Sequence, residues 1–270
     1  MTAQSATIEP AVRSAAPRAL FLGFGTVLRK ELTEWQRGKA TVIIAAIATA
    51  TAIFTTLIPF VVRASGESAA QGAPPLSMDS TVNVLLGWKG GQTIAVIAIL
   101  ATMALLSAER DRGTLAWNLT NPVSPTSIIA AKFIAAVLVL GIAAVILPLA
   151  VSVGVATIAY GAVPDLAVVG RFGVLFLALP VFYAALTVAL GSFVKSTAGV
   201  AGIAFAVMFV PAILGGLVPF INDISPTQIG VWALATATGE PASSLTLAGW
   251  AVSMVALMVG AKLVFDRQEL

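Results

Sequence analysis

The sequence predicts an all-α membrane protein, in which six transmembrane helices are preceded by a cytoplasmic amphipathic helix at the membrane interface. First, 59% of the residues are hydrophobic and 10% are charged, and the mean hydropathy is +0.99, far above that of a soluble domain. Second, the apolar runs reach about 20 residues, the length that crosses a bilayer as a helix. Third, the alternating segments of about ten residues typical of a membrane barrel are missing.

Composition also excludes several classes of site. The chain has no cysteine and no histidine, so it has no disulfide framework, no thiolate metal site and no histidine proton relay. We expect no metal site. The net charge of +3 is small, and the basic residues flank apolar segments, which indicates orientation in a membrane. The partners expected from composition are therefore membrane lipids and no nucleic acid.

The N-terminal segment, residues 1–39, contains the predicted interfacial helix. Apolar side chains recur there at three- and four-residue spacing: Phe21, Phe24, Leu28, Leu32 and Trp35. The charged side chains of Arg29, Lys30, Glu34 and Arg37 fall away from that stripe, which is typical of an amphipathic helix beside a membrane. The residues assigned to this interfacial helix are Arg29, Lys30, Glu31 and Trp35. The helix is either a simple anchor to the cytoplasmic leaflet or an elbow that also contacts a cytoplasmic partner.

The first two predicted spans begin the transmembrane domain, residues 40–265. The first covers residues 40–62, ends before Arg63 and is followed by a polar, glycine- and proline-rich loop. The second covers about residues 90–108, with Trp88 and Lys89 at its start, where an amphipathic ring and a long amine suit an interface.

The other four spans follow the same rule of apolar runs between charges. The third begins after Lys132 and continues to about Tyr160, and Pro148 is expected to kink it. The fourth span lies between Arg171 and Lys195. The fifth covers residues 196–220, with a break expected near its outer end, and the sixth covers residues 245–261. In the outer connection that precedes the sixth span, residues 229–237 predict a short helix at the outer surface.

Orientation follows from the basic residues, which are retained on the cytoplasmic side. With the N-terminus inside, the cytoplasmic segments hold Arg13, Arg18, Arg29, Lys30, Arg37, Lys39, Arg110, Arg112, Lys132, Lys195, Lys262 and Arg267. The other side then holds Arg63, Lys89 and Arg171. We therefore expect a multi-pass protein of the cell (plasma or inner) membrane with both termini cytoplasmic, including the C-terminal residues 266–270.

The inner connection after the second span is the most specific stretch. Its charge cluster is Glu109, Arg110, Asp111, Arg112, Gly113, Thr114 and Leu115, and the turn Asn121-Pro122-Val123-Ser124-Pro125 follows. A charge run at a membrane surface is usually a solvated loop. This cluster and turn nevertheless resemble the cytoplasmic loop of ABC-2 type transporter permeases, and Arg29-Lys30-Glu31-Leu32 before the first span is also similar to that family.

The resemblance implies a role for the cluster. In that family, the matching segment lies beside the nucleotide-binding subunit and couples its movement to the spans. Residues 109–115 are therefore the expected coupling site. The resemblance also implies a second permease chain, identical or related, and ATP with Mg in the partner subunit.

The chain itself contains no phosphate-binding loop of the form G-x-x-x-x-G-K-[ST]. We therefore expect no enzyme activity, no catalytic residue and no cofactor in this chain. The function implied is that of the permease subunit of an ATP-driven ABC exporter for an apolar or amphipathic cargo. The alternatives are an ATP-independent carrier or channel, disfavoured because no ionisable residue lies near the middle of a span, and a membrane assembly or maturation factor of the same architecture.

Overall fold

The computed structural model describes residues 22–64, 79–88, 91–107 and 124–267. It is 87% helix, and the described residues contain no strand, which confirms the predicted all-α class. The predicted coupling residues, 109–115, lie outside the described residues. In chain order the helices are α1 (Phe24–Arg37), α2 (Lys39–Ala64), α3 (Ser80–Gly87), α4 (Gln92–Thr102), α5 (Pro125–Leu140), a π-helical segment (Gly141–Ile146), α6 (Leu147–Tyr160), α7 (Leu166–Phe176), α8 (Ala178–Phe193), α9 (Thr197–Leu217), α10 (Pro219–Ile224), a 3₁₀ turn (Pro226–Gln228), α11 (Ile229–Thr238) and α12 (Ser244–Arg267).

Five helical stretches within the described residues are long and apolar enough to cross a membrane. They are Lys39–Val62, Thr126–Tyr160, Leu166–Phe193, Thr197–Leu217 and Ser244–Val264. A sixth crossing results if α3 and α4, which are bent by 42° relative to each other, form one span. Together with the many exposed apolar side chains, these stretches indicate a multi-pass membrane protein.

The second span is where the sequence prediction was wrong in detail. Its start was placed near residue 90, but an additional helix, α3, precedes that point; it begins at Ser80 and is capped by Asp79. The break follows Trp88, and Gly91 has φ +64°, a left-handed conformation that glycine adopts without steric cost. If α3 and α4 form one crossing, that span is discontinuous.

The third span also begins earlier than predicted. Ser124 caps α5 and Pro125 opens it, so Lys132 lies about two turns inside the helix and not before it. Near Pro148 the helix widens into the π segment, in which the Leu147 N–H donates to the carbonyl of Ile142. Because proline lacks an N–H and collides with the carbonyl four residues earlier, a wider turn before it relieves that conflict.

The fourth and fifth spans differ from prediction mainly at their ends. The fourth begins at Leu166, so Arg171 lies inside α7 as an exposed side chain. The expected break in the fifth run is confirmed, because α9 ends at Leu217 and Val218 is extended before Pro219 opens α10.

The short helix expected over residues 229–237 is present as α11. It does not lie free on the outer surface, however. Its residues Ile229, Gly230, Ala233 and Ala237 are buried, and α11 packs along α7. The small residues on this face explain the burial, because they let the two helices approach closely.

The core is centred on α8, whose residues from Leu179 to Ser192 are almost all buried. Helices α4, α5, α9 and α12 pack around it, and α2 packs along α6, where the Tyr160 hydroxyl donates to the Thr56 carbonyl at 2.8 Å. We call the end at which α2 begins the proximal end and the opposite end the distal end. The ends of α4 and α8 and the starts of α5 and α9 all lie at the proximal end.

Candidate functional site

The candidate site lies at the proximal end, around the two points where the inner connection leaves and re-enters the helix bundle. These points are Ser107, after α4, and Ser124, before α5. Both serines are buried. The connection that holds the predicted coupling residues is thus attached to the bundle by two buried polar anchors.

Ser107 fixes the end of the second span. Its hydroxyl donates to the carbonyl of Met103 at 2.8 Å and shares a 3.0 Å hydrogen bond with the hydroxyl of Thr197, the first residue of α9. On the other side, α8 approaches so closely that a Cβ added to Gly191 would lie 3.0 Å from the Cβ of Leu106. Displacement of Ser107 would therefore be felt by α8 and α9.

A second hydroxyl contact lies about one turn deeper, between Thr102 of α4 and Thr187 of α8. The two Oγ1 atoms are 2.7 Å apart, and both residues are buried. Each hydroxyl is also placed to donate to a carbonyl of its own helix, that of Thr102 to Ala98 and that of Thr187 to Tyr183. In an apolar surrounding such contacts hold two helices in one register.

Ser124 fixes the start of the third span. Its hydroxyl accepts the Ser127 N–H at 3.2 Å, as an N-cap residue does. Its own N–H donates to the carbonyl of Leu22 at 3.2 Å. The N-cap residue of α5 is therefore tied to the backbone just before α1.

The strongest feature of the site is an ion pair between α1 and α5. The Lys132 ammonium donates to Oε1 of Glu31 at 2.9 Å, and the side chains are 4% exposed on each partner. Among the described residues, these are the charged groups that are buried. The position of Lys132 corrects the prediction that it lies outside the span, because a carboxylate that compensates its charge allows the lysine to enter the helix interface.

The four predicted interfacial residues divide between two faces of α1. Glu31 and Trp35 are buried against the bundle, and the Trp35 carbonyl also accepts the hydroxyl of Thr41 at 2.7 Å. Arg29 and Lys30 are exposed, and Lys30 forms a loose 3.5 Å pair with Glu34. One face of α1 thus attaches to the bundle and the other presents basic side chains.

This arrangement suits mechanical transmission between the helices. The described residues contain no group of three or more histidine, cysteine, aspartate or glutamate side chains that could hold a metal ion. The site consists instead of buried hydrogen bonds and one ion pair that join α1, α4, α5, α8 and α9. These contacts keep the two attachment points of the inner connection in register with the bundle.

Sequence reasoning missed the pairing of Glu31 with Lys132 and the anchoring serines. A signal for Glu31 was present, because it stands three residues after Leu28 and four before Trp35, on the apolar stripe of α1. A charge on the buried face of a helix needs a compensating partner. The identity of that partner, 101 residues away, requires the tertiary structure.

Comparison with known proteins gives a match to a protein family. A family model described as ABC-2 family transporter protein matches residues 25–270, a range that includes almost all of α1 and every span. No curated protein matches the chain.

Proposed function

The chain belongs to the ABC-2 family of transporter proteins, and from this premise we propose that it is the permease subunit of an ATP-driven exporter. Family membership supports a membrane permease that associates with an ATPase subunit. The single observation that carries the proposed coupling is the buried Glu31–Lys132 pair, because it joins α1 to the span that follows the inner connection. Two permease chains, identical or related, enclose the pathway in this proposal.

The proximal end is the cytoplasmic end in this proposal. Among the described residues it carries Arg29, Lys30, Arg37, Lys39, Lys132, Lys195, Lys262 and Arg267. The distal end carries Arg63 and Arg171 among the described basic residues, beside acidic residues such as Asp165 and Glu240. Because basic residues are retained inside, the bias supports cytoplasmic termini. In this proposal residues 1–39 precede the transmembrane domain, residues 266–270 follow it, and both segments are cytoplasmic.

Coupling would begin at residues 109–115, which we propose to contact the nucleotide-binding subunit. Movement of this segment would act on Ser107 and Ser124 together. From Ser107 it would pass to α9 through Thr197, and from Ser124 it would pass to α5 and to the backbone at Leu22. The ion pair would make α1 and α5 move as one body.

We further propose that α1 is an amphipathic elbow helix at the cytoplasmic interface. Its buried face, with Glu31 and Trp35, attaches to the bundle. Its exposed Arg29 and Lys30 suit lipid phosphates or an acidic surface of the ATPase subunit. This division supports the elbow over a simple anchor, which would not need a buried ion pair.

A carrier driven by an ion gradient finds less support in the described spans. Such a carrier usually places an ionisable group at mid-membrane. Glu31 and Lys132, the buried charged groups of the described residues, lie together at the proximal end and compensate each other. The proposed energy source is therefore ATP, bound with Mg in the partner subunit.

The test is the ATPase activity of the partner subunit reconstituted with variants of this chain. Arg112→Ala and Gly113→Val are expected to lower stimulation of the ATPase by about 2- to 30-fold, the range for a coupling energy of about 0.5–2 kcal/mol. Arg171→Ala removes one exposed positive charge at the distal end and serves as the matched control. Unchanged stimulation by both variants, at equal amounts in the membrane, would contradict the assignment of this segment.

A further inference from the structure

A small cavity lies at the break in the second span. It has a volume of about 60 Å³ and is lined by Ala48, Thr51, Ala52, Thr55, Gly87, Trp88, Gly91, Gln92, Thr93 and Ile94. Its α2 residues are close to the middle of the Lys39–Val62 span, so the cavity lies deep in the bilayer. Interrupted backbone at that depth is tolerated where it is buried in protein or lines a cavity.

The cavity wall is rich in hydrogen-bond donors. Gly91 is the N-cap of α4 and provides no side-chain cap, so the first N–H groups of α4 have no partner from their own helix. Trp88 is 5% exposed, and its indole Nε1 has no hydrogen-bond partner among the described residues. A buried N–H without a partner is destabilising, so a ligand that accepts a hydrogen bond from it would offset that cost.

The hydroxyls of Thr51 and Thr55 at the cavity bond to the backbone of their own helix, and neither is paired with the indole N–H. The hydroxyl of Thr51 donates to the carbonyl of Ile47, and that of Thr55 donates to the carbonyls of Thr51 and Ala52. At the mouth of the cavity, Gln92 and Thr93 are exposed. The cavity therefore opens on the surface of the bundle.

Charge favours an anion in this cavity. No acidic side chain is among the described residues that line it, and the N-terminus of α4, an 11-residue helix, carries a partial positive charge that stabilises anions. The indole N–H and the helix N–H groups are all donors, and they suit an oxygen with several lone pairs. A cavity of this volume holds a headgroup and not a whole amphiphile.

Apolar side chains continue from the cavity toward the proximal end on both helices. Ile47 and Ile43 precede Thr51 on the same face of α2, and Leu100 follows Thr93 on α4. All three are about half exposed. A tail attached to a headgroup in the cavity would meet these side chains and the surrounding lipid.

We propose that this cavity binds the anionic oxygen headgroup, a carboxylate or phosphate, of an amphiphile whose tail lies along α2 and α4. The headgroup accepts hydrogen bonds from Trp88 and from the start of α4. That this amphiphile is the cargo rests on the export function proposed above. Binding itself requires no ATPase, so the two proposals can fail separately.

The test measures saturable binding of tritiated oleate to the whole chain in phosphatidylcholine nanodiscs at alkaline pH, without a partner subunit. Trp88→Phe removes the indole N–H but keeps a ring against Phe172 and Phe176. It is expected to weaken oleate binding about tenfold, as loss of a hydrogen bond to a charged group does. Tritiated oleyl alcohol, which has a similar tail and a neutral oxygen, should lose less affinity than oleate does in this variant.

Two further variants keep the outcome interpretable. Gln92→Leu changes an exposed residue at the mouth and is expected to weaken oleate binding severalfold, whereas Trp232→Phe, on α11, should leave it unchanged. Displacement of oleate by phosphatidylglycerol would identify a resident lipid as the source of the headgroup, and displacement by alkyl phosphate alone would identify a free amphiphile. Equal oleate binding by wild type, Trp88→Phe and Gln92→Leu, or no saturable binding at all, would overturn the proposal.

Discussion

At the scale of single residues, the Glu31–Lys132 pair sets the attachment of α1 to the bundle. Both side chains are 4% exposed, so water contributes little to the compensation of either charge. Surface pairs such as Lys30 with Glu34, where both side chains are more than half exposed, are screened by water and ions. Loss of the buried pair should therefore lower the stability of the folded chain more than loss of the surface pair does.

Glu31→Gln is expected to lower the stability of the folded chain by about 3–5 kcal/mol, because it leaves the Lys132 charge buried without its carboxylate. The midpoint of thermal denaturation in detergent measures this change. Glu34→Gln is the matched control on the solvent side of α1 and should cost less than about 1 kcal/mol. Replacing both partners, Glu31→Met with Lys132→Met, should recover most of the loss. Equal midpoints for Glu31→Gln and Glu34→Gln would show that the buried pair has no special role.

At the scale of elements, the break between α3 and α4 depends on the backbone at Gly91. Its positive φ costs any other residue about 1–2 kcal/mol. A Cβ at this position would also lie 3.1 Å from Cζ of Phe176 and would collide with Leu179. Both the backbone conformation and the limited space at this position therefore favour glycine.

Gly91→Ala should destabilise the chain by more than the conformational cost alone. Gly202→Ala is the control, because that glycine lies within α9 with nothing within 4 Å of an added Cβ, and alanine is favoured over glycine in a helix by about 0.5–1 kcal/mol. We expect a lower denaturation midpoint for Gly91→Ala and an equal or higher one for Gly202→Ala. Similar midpoints for the two variants would mean that the left-handed turn is not needed.

Much of the helix layout could be predicted from hydropathy, because crossing a bilayer demands long apolar runs. The first span and the short helix over residues 229–237 were predicted in this way, and the break near the outer end of the fifth run was predicted from its prolines, Pro211 and Pro219. Hydropathy failed at α3, because its eight residues are too few to be recognised as a crossing. It also failed at Lys132, because a charged residue ends an apolar run in the sequence whether or not a distant carboxylate compensates its charge. The serine anchors at residues 107 and 124 depend on contacts between helices that no local pattern contains.

At the scale of the whole molecule, the outward faces are adapted to lipid. The most hydrophobic stretch of α12 is 6% buried, and those of α2 and α9 are 22% buried. Burial is instead concentrated in the span Leu166–Phe193, at 72%. Such a distribution is stable when hydrocarbon covers the exposed side chains, or when a second permease chain covers part of them.

The orientation can be tested with single cysteines, since the natural chain contains none. Lys195 and Glu240 are exposed at the proximal and distal ends, respectively. In intact cells, Glu240→Cys should react with a membrane-impermeant maleimide, and Lys195→Cys should react only after the membrane is permeabilised. The opposite pattern would place the basic end outside and contradict the proposed cytoplasmic coupling site.

Affinity purification of the tagged chain from mild detergent, with identification of the co-purifying proteins and an ATPase assay, tests the central claim most directly. If the chain is the permease of an ATP-driven exporter, a nucleotide-binding subunit should co-purify in stoichiometric amount with vanadate-sensitive ATPase activity. Recovery of the intact, monodisperse chain without any such subunit would contradict that claim and favour an ATP-independent carrier or an assembly factor.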